Sequence, residues 1–252
     1  MATVQTGTVG KALEILTVVG EFPEGGTAAQ VAQRVDYPFS TVHRLLSTLT
    51  ETDFLSYDPR DKRYSLGLPV FQLGQQVAHR RGFTATAAAV LSRLTEATGE
   101  SSILSVLDRG RALTVHTVDG PQFRTTTDPG GYSPLHTSAI GKALLAFTDE
   151  ETREHLLATV DLTPRTEHSV TDRAVLARQV AEARAQGWAG QSEENDIGMA
   201  AIAVPVQDPS GGLIAVVALA APLFRCDLEG LKGHLPALLA AAHQLSIQLP
   251  PR

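Results

Sequence analysis

Cysteine is nearly absent: Cys226 stands alone in 252 residues. A single thiol rules out an internal disulfide and any multi-cysteine zinc site, and it suits a reducing cytoplasm. The N-terminus carries no basic segment followed by an apolar one, so no secretory signal is visible. The longest apolar run, Leu213 to Phe224, contains Pro222 and is too short to span a bilayer. It reads as a buried strand, and no membrane partner is expected. Positive charge is also scarce. A net charge of −6 argues against a broadly basic nucleic-acid binder. Catalytic signatures are missing too: there is no Gly-x-Ser-x-Gly elbow and no His-Glu-x-x-His pair, and the eight histidines have no ligand spacing.

What remains is ample for a folded protein. Hydrophobic residues make up 43% and charged residues 19%, and the length allows one large domain or two smaller ones. The most informative stretch runs from Thr27 to Thr50. Ala28, Val31, Ala32 and Val35 recur at helical spacing, as do Val42, Leu45, Leu46 and Leu49, on either side of Asp36-Tyr37-Pro38. Thr27 is placed to cap the first helix and Pro38 suits the first turn of the second. Two short amphipathic helices around a tight turn form a helix-turn-helix. Opposite the apolar stripe of the second lie Ser40, Thr41, His43, Arg44, Ser47 and Thr48. Such short or donor-rich side chains read base edges and phosphates. An ordinary solvated helix face has the same composition.

A helix with the apolar stripe Val9, Ala12, Leu13, Leu16 and Val19 precedes this pair. After it, Phe54–Tyr57 and Arg63–Leu66 flank the turn Asp58–Lys62, a short hairpin with Arg60, Lys62 and Arg63 at its tip and edge. Three helices and a hairpin make a winged helix-turn-helix over 1–67. Its six Lys/Arg against eight Asp/Glu give a net of −2, but four of the six lie between Arg44 and Arg63. Dimerisation doubles that small positive site.

Helical periodicity resumes with Val70, Leu73 and Val77, assigned to a linker helix over 68–82, and again with Val90, Leu91 and Leu94. Gly82 divides the two stripes and Gly99 caps the second. The rest of 83–252 is strand-rich at both ends and helical between. Ser102–Leu107 and Ala112–Val118 form a hairpin around Asp108-Arg109-Gly110-Arg111. A loop and helix follow over Ser133–Phe147, a helix capped by Thr148 and Glu151, and a third helix from about Thr171 to Gln186. Strands return at Trp188–Gln191, Ala200–Val206 and Leu213–Ala221, before a closing helix interrupted near Pro236. This pattern predicts an α+β domain on an antiparallel sheet.

Five collinear stretches give the chain a specific likeness: STVHRLLSTL, the wing ending RYSLG, PLHTSAIGKALLA, TPRTEHSVTD and GWAGQSEENDIGMAAIAVPVQD. In order and spacing they resemble the IclR-type transcriptional regulators, named after the isocitrate lyase regulator. The resemblance covers essentially residues 8–248. It implies a winged helix that binds double-stranded operator DNA and a GAF-like C-terminal domain that binds a small organic effector. It also implies a homodimer or a dimer of dimers, with no cofactor. The DNA-binding set is then Ser40, Thr41, His43, Arg44, Arg60, Lys62 and Arg63. Effector contacts carried over from acid-binding relatives fall at Gln122, Ala139, Ile140, Gln191, Ala201, Ala203, Ala218 and Ala220. Relatives often have an acid at the Gln191 position, cysteine at Ala201 and serine at Ala218 and Ala220. This chain offers one amide and three methyl groups instead, which implies an amphipathic acid or aromatic metabolite rather than a small, densely polar acid.

Two other function classes compete. A small-molecule-metabolising enzyme with a GAF-like domain is the main alternative. Ala139-Ile140-Gly141-Lys142 resembles the end of a phosphate-binding loop, but His136 replaces the required glycine and Ala143 the Ser or Thr. His116 and His136 are expected to be structural, Glu193, Glu194 and Asp196 to be solvated acids in a turn, and Cys226 to be an incidental thiol. A pure dimerisation module needs no pocket, whereas PLHTSAIGKALLA puts a helix N-terminus with free amides opposite several strands, an arrangement that favours carboxylates.

Overall fold

A computed structural model describes residues 7–83, 85–121 and 127–250. By internal packing the chain divides into two units, Met1–Val77 and Ala78–Arg252.

The first unit opens with α1 (Thr8–Gly20), β1 (Gly26–Thr27), α2 (Ala28–Ala32) and α3 (Phe39–Glu51). Thr27 caps α2 through a capping box with Gln30. The helix is shorter than its periodicity suggests and ends before Val35. Pro38 is the residue before α3 rather than a member of its first turn. In α1 the buried residues are Ile15, Val18 and Val19, while Val9 and Leu13 are exposed, so the stripe lies further round the helix than expected. Val42, Leu45, Leu46 and Leu49 join them in one core with Val31, Leu55 and Tyr64. The strands β2 (Leu55–Asp58) and β3 (Arg63–Leu66) form the predicted hairpin, and β1 adds to the outer edge of β3.

Helix α4 (Leu68–Arg80) has no buried residue: Leu68, Phe71, Leu73 and Val77 are all exposed. Gly82, at φ +69°, follows it before α5 (Ala85–Thr98).

The second unit is built on a six-stranded, wholly antiparallel sheet of β4 (Ser101–Asp108), β5 (Arg111–Val118), β6 (Tyr132–Ser133), β7 (Ala189–Ser192), β8 (Met199–Gln207) and β9 (Leu213–Pro222), in the order β6-β5-β4-β9-β8-β7. Arg109 and Gly110, both at positive φ, make the two-residue turn between β4 and β5. One face of the sheet is covered by α5 and α10 (Leu235–Gln248), with Ala215, Val217, Leu219 and Ala221 of β9 pointing into that core. The other face is covered by α6 (Ala139–Phe147), α7 (Glu150–Thr159) and α8 (Arg173–Gln186), against Val216, Ala218 and Ala220. Burial on both faces explains why β9 reads as an unbroken apolar run.

The capping of α7 differs from the sequence expectation, while the break in the closing helix lies near Pro236 as expected. Asp149, not Thr148, caps α7, accepting from the Thr152 amide at 2.8 Å. Thr148 instead ends α6 in an extended conformation. The break in the closing helix falls between α9 (Leu228–Lys232) and α10, and Pro236 sits in the first turn of α10, where a missing N–H costs nothing. Among the described residues no helix is long and apolar enough to cross a membrane.

Candidate functional site

Chemistry-bearing residues gather in two places, one in each unit. In the first, burial of Val42, Leu45, Leu46 and Leu49 turns the opposite side of α3 to solvent. Ser40, His43, Arg44 and Thr48 are exposed there, and Thr41 and Ser47 are half-buried. The Thr48 hydroxyl donates to the Arg44 carbonyl at 3.1 Å and so is partly spent on the helix itself. At the wing, Arg60 and Lys62 are exposed on the β2–β3 turn, where Lys62 takes a left-handed conformation at φ +54°. Arg63 differs from them. It is half-buried, and its Nη1 donates to the Gly25 carbonyl at 2.6 Å, tying the wing to β1. That bond withdraws part of its guanidinium from any phosphate contact.

In the second unit the lead-in loop and α6 form a small cavity with β4, β8 and β9. Gly141 sets how closely the loop approaches the helix: a Cβ there would lie 2.4 Å from Leu135 Cα and 2.5 Å from the Pro134 carbonyl oxygen. Ser138 caps α6, its hydroxyl accepting from the Gly141 amide at 2.9 Å and donating to the Pro134 carbonyl at 2.7 Å. The Ser138 carbonyl takes the Lys142 amide. The amides of Ala139 and Ile140 therefore lie at the open N-terminus, and no partner for them is found among the described residues. Both residues line the cavity, together with Gln191, Ala201, Ala218 and Ala220, and with Ile103, Ser138, Asn195, Asp196 and Met199. The free volume is about 60 Å³.

Six of the eight expected effector contacts thus converge. Ala203 does not. It pairs with Ala189 and Ala218 in the next row of the sheet, is fully buried, and belongs to the core beneath α6 rather than to the cavity wall. Gln122 lies outside the described residues. The Gln191 side chain is buried, and its carbonyl oxygen accepts from the Glu194 amide at 3.0 Å, so the group it can offer a ligand is its Nε2 donor.

The acidic turn is not simply solvated. Glu194 forms an ion pair with Lys142 of α6 at 2.5 Å, beneath the cavity-lining residues of both elements. Thr137 donates to the Asn195 side chain at 3.0 Å, Arg165 to the Asn195 carbonyl at 3.2 Å, and Thr166 and Ser169 to the carbonyls of Glu193 and Glu194. A lone lysine in the apolar helix AIGKALLAF was the available signal, since a buried cation requires a buried partner. His136 is buried as expected. Its Nε2 lies 3.0 Å from the Thr163 carbonyl, which fixes the proton on that nitrogen, and its Nδ1 has no partner among the described residues. Burial holds its pKa below the ordinary value, and burial does the same to His116. Among the described residues no group of three or more His, Cys, Asp or Glu is arranged to hold a metal.

Comparison with known proteins gives the family of each unit. The family model for the bacterial transcriptional regulator IclR C-terminal domain matches residues 75–247, and that for the IclR helix-turn-helix domain matches residues 8–59. The HTH-type transcriptional regulator BhcR of Paracoccus denitrificans is 33% identical over 243 residues, 96% of this chain and 87% of BhcR. KdgR of Escherichia coli is 31% identical over 240 residues, 95% of this chain and 91% of KdgR. Among solved structures, a putative IclR regulator from Silicibacter superposes with a TM-score of 0.85 at 27% identity, over 97% of this chain and 98% of its own. An IclR homologue from Microbacterium hydrocarbonoxydans, complexed with 4-hydroxybenzoate, gives 0.84 over 96% and 99% of the chains; at 22% identity this likeness is one of fold.

Proposed function

This chain belongs to the IclR family of transcriptional regulators, and from that premise we propose which residues read DNA and what kind of effector they answer to. It is a DNA-binding regulator with an effector-binding C-terminal domain, not an enzyme. In our reading residues 1–67 form the DNA-binding domain, 68–82 the linker helix and 83–252 the effector domain. Thr41, His43 and Arg44 contact base edges, while Ser40, Arg60 and Lys62 contact phosphates. Arg63 contributes chiefly by bracing the wing. The protein works in the cytoplasm as a symmetric dimer or a dimer of dimers on a pseudo-palindromic operator. The unpartnered apolar stripe of α4, Leu68, Phe71 and Val77, supports such an association.

The effector is an amphipathic acid or aromatic metabolite. One observation carries this: two unpartnered helix N-terminal amides face a cavity whose sheet wall is methyl groups. The amides and the helix dipole favour one anionic or carbonyl group, and Ala201, Ala218 and Ala220 favour an apolar body. The aromatic acid bound by the Microbacterium homologue is of this class. Small-molecule sites usually measure about 300–1,000 Å³, so a ligand of this class needs the 60 Å³ cavity to widen. A calorimetric series on the full chain tests the reading: aromatic monocarboxylates should bind and raise the melting temperature. Tight binding of glyoxylate or pyruvate, with no response to aromatic acids, overturns it.

A further inference from the structure

Phe39 is the first residue of α3, yet 55% of its surface is exposed. The core of this unit is complete without it, being formed by the side of α3 that carries Val42, Leu45, Leu46 and Leu49. Among the described residues its ring contact is with His43, a turn further on: the centroids are 6.3 Å apart and the rings tilted by 45°. The two rings form a row beside that of Ser40 and Arg44, all four residues being exposed. A phenyl ring has no donor, so it gains nothing from phosphate oxygens. It gains by leaving water against an apolar surface.

In a helix-turn-helix the N-terminal residues of the second helix reach the base edges of the major groove. The apolar feature displayed in that groove is the C5-methyl of thymine, to which phenylalanine is a suitable partner. We propose that Phe39, held against His43, is a specificity-determining residue that reads a thymine methyl beside the base contacted by Arg44. This inference rests on α3 being the recognition helix. It adds to that reading a preference that the hydrogen-bonding residues of α3 do not supply.

The test uses the full-length protein and operator duplexes obtained by selection from random sequence. Each thymine of the selected site is replaced in turn by uracil, which removes the methyl and leaves every hydrogen-bonding edge intact. In the wild type, one replacement per half-site should weaken binding about four-fold, the worth of burying roughly one methyl group. Phe39→Ala should bind thymine and uracil operators equally, at the wild type's affinity for the uracil site. Phe39→Leu should keep part of the discrimination. Because Phe39 lies outside the core, both variants should melt with the wild type, and a common melting curve excludes misfolding as the cause. A selected site whose affinity is indifferent to every thymine-to-uracil change overturns the inference alone. So does Phe39→Ala binding all sequences more weakly while keeping the wild-type ratio. Failure of selection to enrich any sequence overturns the recognition-helix reading and this inference with it.

Discussion

Lys142 and Glu194 meet at 2.5 Å with side chains only 2% and 12% exposed, joining α6 to the loop that carries Asn195 and Asp196. Burial pushes the lysine pKa down and the carboxyl pKa up, and each partner's charge opposes that shift. The second carboxylate oxygen, Oε2, is buried without a partner among the described residues. Removing the lysine alone leaves an uncompensated buried charge. Lys142→Met should therefore cost about 3–5 kcal/mol in denaturant unfolding, while Lys142→Met with Glu194→Leu should recover most of it. A double variant no more stable than the single one would show that the pair, rather than the packing around it, sets the stability.

The DNA-binding face predicts two kinds of loss. Arg44→Ala should relax sequence preference by about 1–3 kcal/mol at one position per half-site, because a bidentate contact to guanine is removed. Lys62→Ala should weaken all sequences alike and reduce the salt slope by about one. Binding titrations at several salt concentrations separate the two. Unchanged affinity and selectivity for Arg44→Ala would remove it from the base-reading set.

How far the sequence led is clear from particular residues. Helix α3 was legible because Val42, Leu45, Leu46 and Leu49 repeat at 3.6-residue spacing and every one is buried. The turn between β4 and β5 was legible because Gly110 accepts a positive φ between two apolar strand runs, and Arg109 takes the left-handed conformation beside it. Ala203 shares a row with Ala218 yet does not line the cavity, because alternation gives the face of a strand but not which positions on that face a helix covers. Periodicity likewise misjudged α1, where Val9 and Leu13 fit an apolar stripe but end up exposed. The Glu194 partnership joins residues 52 positions apart; the lone lysine of α6 signals that a partner is needed, but no local pattern says which residue it is.

Helix α4 exposes Leu68, Phe71 and Val77 and buries no side chain. Association through that stripe would remove apolar surface from water, and it would double the small basic patch between Arg44 and Arg63 of a unit whose net charge is −2. Phe71→Glu should shift the protein toward monomer in sedimentation, and operator affinity should fall by more than ten-fold. A dimer that survives this change would place the interface elsewhere.

His136 predicts a pH dependence. Its folded pKa lies below the ordinary 6.5, mainly through burial, with Lys142 and Arg165 acting in the same direction and Asp161 and the Thr163 carbonyl against it. Below pH 6.5 the unfolded chain therefore binds more protons here than the folded one. The contribution is fully present above that pH and is lost as pH falls through the folded value. Half-buried His116 shifts the same way. The melting temperature of the wild type should drop between pH 7 and pH 5, and His136→Gln should flatten that drop. Parallel pH profiles for the two proteins would contradict the assignment.

The cavity wall makes the last prediction the most specific to this chain. Ala201 and Ala220 stand opposite each other on β8 and β9, with Ala218 one row away. Together they present methyl groups where a polar ligand would need hydroxyls or thiols. Against that wall each unpaired hydroxyl of a small hydroxy-acid costs roughly 1–3 kcal/mol. An aromatic or branched body gains about 25 cal/mol for each Å² of apolar surface buried. Ala218→Ser restores a donor and acceptor at a fully buried position, and Ala201→Cys does so more weakly beside Gln191. For an aromatic acid both changes should leave affinity flat or lower it by up to about ten-fold, since the new polar group is itself left unpaired. For glyoxylate-like acids both should raise it. The anionic end is unaffected in either case, because the Ala139 and Ile140 amides are backbone groups that neither substitution touches. Calorimetry with one acid of each kind against the wild type and both variants gives a crossed pattern if the methyl wall selects the effector. Parallel changes for the two acids would mean that these alanines only pack the sheet.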